Sequence, residues 1–237
     1  MNDRLERMKA LKRILCAGSV TADVIVTPAD SVPTPGTLRA VEGVSTHVGG
    51  CAANAAIDLA KLGVPVTLSC KVGRDSFGRF VRETAGEAGV DIRGIVEDGG
   101  VGTTVSIVCV NSSGERSFLY NPGSAAAYTL EDIDLRLVEE CDIVFVAGAM
   151  LLTSFDGEPC ARFMEEARAK GKFTVMDTAW DFADVWLPKV EAVLPHLDLF
   201  MPSLEEAQKL TGEADPDRIA DRFFEMGVAN VIVKLGK

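Results

Sequence analysis

The chain has 237 residues, 47% of them hydrophobic and 25% charged, and a formal net charge of −11. This fits a globular protein with a sizeable core and excludes a disordered chain. The acidic balance argues against nucleic acid and anionic membrane surfaces as partners, because both need clustered Lys and Arg, and no apolar run approaches the ~18 residues that cross a bilayer.

Residues 1–13 are charged throughout and lack the apolar centre of a secretory signal, so a short solvated helix is expected ahead of the first strand. Residues 13–17 form an apolar run that reads as a buried strand. An alternating stretch over residues 23–27 follows Gly18-Ser19. Asp23 then stands just beyond the first strand's carboxyl end, where open α/β sheets hold ligands, although a turn or capping role fits the same position. Between residues 30 and 48, two prolines and Gly36 precede the alternating segment 37–41, with no helix after it. Residues 103–111 and 116–120 repeat this character around the turn Asn111-Ser112-Ser113-Gly114. A small β-lid made from segments at about 30–48 and 103–120 is expected over the main sheet's carboxyl edge.

Residues 48–63 read VGGCAANAAIDLAKLG. Ala52, Ala55, Ala56, Leu59 and Ala60 recur at helical spacing and predict a small-residue face. Gly49 and Gly50 let backbone approach a ligand closely, and Asn54 sits one turn in with an amide donor and acceptor. An ordinary strand-to-helix turn with a satisfied asparagine reads equally well. A strand is expected over 66–72, followed by a helix from Gly73-Arg74-Asp75-Ser76-Phe77-Gly78 to about residue 88, with Asp75 as its N-cap. Further strands are expected at 143–146, 173–176, 197–201 and 231–234. Helices are expected at about 158–170, closed by Gly171, from Pro202-Ser203 to 210, and at 217–226. Alternating β and α units imply a mainly parallel sheet flanked by helices, in one domain over 1–237.

Cys16, Cys51, Cys70, Cys109, Cys141 and Cys160 form no C-x-x-C pair, and His47 and His196 are the only histidines, so no zinc spacing can be assembled. A reduced, cytoplasmic protein is the expectation, in which the sequon at Asn111 carries no meaning. A dinucleotide-dependent oxidoreductase would need G-x-G-x-x-G after the first strand, which residues 18–23 do not supply.

Taken together, these motifs resemble the PfkB/ribokinase family of carbohydrate kinases, over nearly the whole chain. Gly49, Gly50 and Asn54 match its G-G-x-x-x-N signature, and Asp23 its upstream aspartate. Gly73, Asp75 and Gly78 match G-x-D-x-x-G, while Gly114 and Arg116 match the lid hairpin. The resemblance implies a ribokinase-like three-layer sandwich with a β-lid, and transfer of the γ-phosphoryl of ATP, with Mg2+, to a hydroxyl of a sugar or related small molecule. It assigns Asp23, Gly49, Gly50 and Asn54 to the acceptor site. It places Ser203, Glu206, Lys234 and Gly236 on the nucleotide and phosphate side, with Glu206 acting indirectly on the metal. Ser203 stands where the family has asparagine, and Ser203-x-x-Glu206 is also a capping box. Asp177 ends a strand on the ligand edge, but Trp180 and Asp181 follow where many relatives have a basic residue. A homodimer through the lid is implied as well. The family's G-A-G-D segment, which carries the general base, has no counterpart in these residues, so no catalytic residue is assigned. A piece of a longer kinase is therefore expected, with a non-catalytic sugar-binding or regulatory protein as the alternative. Leu38, Val105, Ile107 and Leu119 are the lid residues expected to separate one acceptor from another.

Overall fold

The computed structural model describes residues 12–236, so the helix expected over residues 1–13 lies almost wholly outside the described residues. The chain enters the main sheet at β1 (Ile14–Gly18) and turns into a second sheet through β2 (Thr21–Thr27) and β3 (Gly43–Gly49). It returns through α1 (Cys51–Lys61), β4 (Val66–Gly73), α2 (Ser76–Glu87) and β5 (Asp91–Asp98). The hairpin β6 (Val105–Val110) and β7 (Arg116–Asn121) completes the second sheet. After α3 (Gly123–Ala126) and α4 (Leu135–Glu140) come β8 (Ile143–Ala149), α5 (Glu158–Ala169) and β9 (Phe173–Thr178). The short β10 (Leu199–Phe200) precedes α6 (Leu204–Thr211) and α7 (Pro216–Glu225).

The main sheet runs β10-β9-β8-β1-β4-β5, and every pair in it is parallel. Parallel strands need helical crossovers, and these cover both faces. Residues of β1 alternate between the two cores: Leu15 and Ala17 pack with α4, α5, α6 and α7, and Cys16 with α1 and α2. The lid is the four-stranded sheet β3-β2-β6-β7. The α/β fold with its mainly parallel sheet and β-lid is thus the one expected from sequence.

Several details differ. The lid uses β2, so its first segment starts at Thr21, and residues 28–42 form no strand. The expected strand over 37–41 is irregular, with Leu38 95% exposed. Its partner edge is used up, since β3 pairs with β2 only from Gly43 opposite Thr27, where β2 ends. The run 231–234 forms two isolated parallel bridges, Phe200 with Val231 and Ser203 with Lys234. Pro202 interrupts that ladder because it has no N–H to donate. The buried face of α1 is Ala52, Ala53, Ala56 and Ile57, with Ala55, Leu59 and Ala60 only half-buried. Edge strand β5 was missed, since its exposed charges hide the apolar pair Gly94-Ile95.

Candidate functional site

In the main sheet β1 lies between β4 and β8, and the chain winds away from it in both directions. The crevice of such a sheet opens at the carboxyl ends of the strands where the order reverses, here at Gly18-Ser19 and Gly148. Backbones converge tightly there. A Cβ on Gly148 would lie 2.1 Å from the Ser19 Oγ, and Gly148 has φ +87°. The Ser19 Oγ accepts the Cys51 N–H at 3.1 Å, and the Ser19 carbonyl accepts the Ala52 N–H at 3.1 Å. The N-terminus of α1 is thereby anchored beside the crevice. Gly50 has φ +88°, and its Cβ would sit 2.6 Å from both the Ser19 carbonyl oxygen and the Val20 Cα, so only glycine fits.

The lid brings Asp23 over this point. Its carboxylate leans across Gly49, where a Cβ would fall 2.1 Å from the Asp23 Oδ2. Register places Asp23 opposite His47 on one side and Ser106 on the other, with Ser106 opposite Tyr120. Paired residues share a face, so Asp23, His47, Ser106 and Tyr120 line one side of the lid. Val105, Ile107 and Leu119 point to the other side, because strands alternate, and Leu38 stands alone in solvent. The residues expected to choose the acceptor therefore do not share the face that carries Asp23, and sequence alone could not set the register between β2 and β6.

Tyr120 was missed by sequence reasoning. Its hydroxyl is buried with no hydrogen-bond partner among the described residues, and its ring lies 5.9 Å from that of Phe182, in the loop after β9. The hairpin turn paired Tyr120 with Ser106, but nothing in the sequence tied that pair to Asp23. Burial pushes the Tyr120 hydroxyl up to about 12, with the Cys51 thiol and the Asp23 carboxylate adding to the shift. Burial raises Asp23 above the usual carboxylate range, and His47 opposes it. The Cys51 thiol is raised by burial first and then by Asp177.

The other wall of the crevice comes from β9 and α6. Asp177, near the end of β9, pairs with the Lys234 ammonium; burial raises its pKa and Lys234 opposes the rise. Glu206 is buried at 8% exposure, and its Oε2 accepts the Thr178 hydroxyl at 2.8 Å and the Ser203 N–H at 2.9 Å. The Ser203 Oγ accepts the Glu206 N–H in return at 3.3 Å, a complete capping box. Asn54 is exposed on α1, and Gly236, at φ +73°, has nothing near its Cβ position. The expected residues thus fall into two groups: Asp23, Gly49 and Gly50 under the lid, and Ser203, Glu206 and Lys234 around Asp177. Asp181 is turned inward, bonded to Lys189 at 2.7 Å and to the backbone N–H groups of Ala183, Val185 and Trp186. Arg116 is exposed at the far end of β7. Among the described residues no three His, Cys, Asp or Glu side chains gather as a metal site.

Comparison with known proteins agrees with this architecture. The chain is 29% identical to 2-dehydro-3-deoxygluconokinase of Thermoproteus tenax, over 86% of this chain and 65% of that protein. It is 28% identical to fructokinase-1 of Oryza sativa subsp. japonica, over 79% of this chain and 61% of that one. It therefore spans less than two thirds of the length of these curated relatives. Fructokinase with bound ATP from Xylella fastidiosa superposes with a TM-score of 0.77 at 25% identity, covering 96% of this chain and 74% of that one. The model of the pfkB family of carbohydrate kinases matches residues 11–237, and the chain belongs to that family.

Proposed function

We propose that the protein to which these residues belong transfers the γ-phosphoryl of ATP to a hydroxyl of a small sugar, and that Asp23, Gly49, Gly50 and Asn54 form the acceptor side. The observation that carries this reading is the Asp23 carboxylate over Gly49 on the lid face that also holds the unpartnered Tyr120 hydroxyl. A carboxylate acceptor and a phenol donor are the groups that fix a polyol by paired hydrogen bonds. The lid excludes water, which would otherwise compete with the sugar hydroxyl for the phosphoryl group.

On the other side, Ser203, Glu206, Lys234 and Gly236 would face the phosphates. The residues fit a magnesium ion carried by nucleotide phosphates rather than held in a protein cage, because Glu206 is one carboxylate with an oxygen outside the capping box. Magnesium would neutralise the charge that develops on the phosphates, and Lys234 would add a second cation. Two further expectations accompany this reading. Val44, Ile107 and Leu119 are exposed on the lid face away from Asp23, which supports a homodimer through the lid, checked by light scattering. Six free thiols fit a reducing cytoplasm.

The test is kinetic and uses the full-length protein. Asp23→Ala should raise KM for the sugar far more than KM for ATP, and Asn54→Ala should do the same more weakly. Equal effects on both substrates would remove Asp23 from the acceptor side.

A further inference from the structure

The charged groups around Asp23 bear on which sugars the proposed acceptor side admits. The argument rests on the acceptor-site reading of Asp23 and extends it to the chemistry of the acceptor. Asp23 stands on the lid and Asp177 near the end of β9, and burial raises the pKa of both. The basic groups that act on Asp23, Asp177 and Cys51 are the His47 ring, on Asp23, and the Lys234 ammonium, on Asp177 and Cys51. Lys234 is already paired with Asp177, and the exposed His47 ring is bonded to the Ser45 hydroxyl at 2.9 Å. Among the described residues, no guanidinium acts on Asp23 or Tyr120, so none is placed to take a carboxylate there in the bidentate fork that such recognition uses. What the lid face does offer is a buried O–H without a partner, on Tyr120, beside the face of Phe182.

We propose that this site takes an uncharged polyhydroxy acceptor, held by the Asp23 carboxylate and the Tyr120 O–H against the Phe182 ring, and disfavours a sugar acid. A neutral sugar supplies a hydroxyl donor to Asp23 and a hydroxyl acceptor to Tyr120, which satisfies a phenol that otherwise stays buried and unpaired. A sugar carboxylate would bring a second negative charge beside the half-buried Asp23 carboxylate, where like charges repel more strongly than in water.

The experiment is titration calorimetry on the full-length protein with D-fructose, D-ribose and D-gluconate, alongside thermal unfolding. The proposal expects a neutral sugar to bind and gluconate to bind about tenfold or more weakly. Tyr120→Phe should weaken the neutral sugar by about tenfold without lowering Tm, because it deletes an unpaired buried hydroxyl rather than a structural bond. Asp23→Asn should weaken the neutral sugar and narrow its advantage over gluconate. If gluconate binds as well as the neutral sugars, and Asp23→Asn weakens it, the proposal falls while the acceptor-site reading stands. If none of the three binds, or binding ignores Asp23→Asn, the acceptor-site reading falls and takes the proposal with it.

Discussion

Gly49 and Gly50 are adjacent and share a motif, yet they do different work. A Cβ on Gly50 would meet backbone, the Ser19 carbonyl oxygen and the Val20 Cα, at a φ of +88°. Gly50→Ala should therefore cost about 1–3 kcal/mol through strain alone, seen as a lower urea midpoint. The three atoms nearest a Cβ on Gly49 would all belong to the Asp23 carboxylate, which can swing away. Gly49→Ala should leave Tm within a few degrees and weaken sugar binding about as much as Asp23→Ala; a binding loss without displacement of Asp23 would refute this. Asp156 gives a prediction in pH. Its oxygens accept the Met150 and Leu152 N–H groups at 2.9 and 3.0 Å, and burial raises its pKa from 3.8 to about 6, past the opposing Met150 bond and Lys189 charge. The folded state then binds the proton more tightly than the unfolded chain, so this group's contribution is largest below its unfolded pKa and declines as pH rises toward 6. The Tm of the parent minus that of Asp156→Asn should fall between about pH 4 and pH 6; a flat difference would show that Asp156 titrates normally. At this scale the sequence revealed residue types but not their company. Gly49 and Gly50 were legible as a place of close backbone approach because adjacent glycines have few uses, whereas Asp23, expected just beyond the end of the first strand, lies inside β2. Tyr120 was not, because its meaning depends on a register between distant strands.

At the scale of elements, the G-x-D-x-x-G pattern finds its physical reason at the base of the lid. The Asp75 Oδ1 accepts the Gly78 N–H at 2.8 Å and so caps α2, and it also accepts the Thr103 hydroxyl at 2.8 Å. The Oδ2 accepts the Thr103 N–H at 2.8 Å, where the chain enters β6. These bonds outweigh burial and hold Asp75 below the usual carboxylate range. A Cβ on Gly73 would lie 2.6 Å from the Thr103 nitrogen, and one on Gly78 would lie 2.0 Å from the Gly73 carbonyl oxygen, so both glycines make room for this knot. The exit from β7 is tied to the same place, since the Thr104 hydroxyl donates to the Pro122 carbonyl at 2.8 Å. Asp75→Asn can keep the cap through its carbonyl oxygen but must turn an amide N–H toward Thr103. It should therefore cost about 1 kcal/mol and speed amide exchange in β6 and β7 more than in α2. Equal acceleration in all three would mean that Asp75 is a helix cap and nothing more. The sequence had indicated the cap and the hairpin separately. It could not join them, because 28 residues separate Asp75 from Thr103, and it missed β5 and misplaced the strand at 37–41 because both depend on which sheet edge is free.

For the molecule as a whole, the question is whether the lid, the two helical layers and the last residues behave as one unit, as the single-domain expectation requires. The central strands favour one unit. Leu15 of β1 lies in one core and Leu68 of β4 in the other, both fully buried, and β1 is hydrogen-bonded to β4 through Leu15–Thr67 and Cys16–Leu68 register pairs. Neither core can open without exposing a face of the same strands, so loss of one should propagate to the other. Leu15→Ala and Leu68→Ala should each cost about 2–5 kcal/mol by leaving a cavity. Each should lower one shared transition rather than split it in two. Two probes report on opposite sides of the sheet: Trp186 is buried in the core that holds Leu15, and the Cys70 thiol is buried in the core that holds Leu68. Urea unfolding followed by tryptophan emission and by Cys70 labelling, with the other thiols replaced by alanine or serine, should give coincident curves in both variants. Curves that separate in Leu68→Ala but not in Leu15→Ala would mean that the layer of α1 and α2, which anchors the Gly49-Gly50 turn, unfolds on its own. The proposed acceptor site could then order and disorder while the rest of the sheet stays folded.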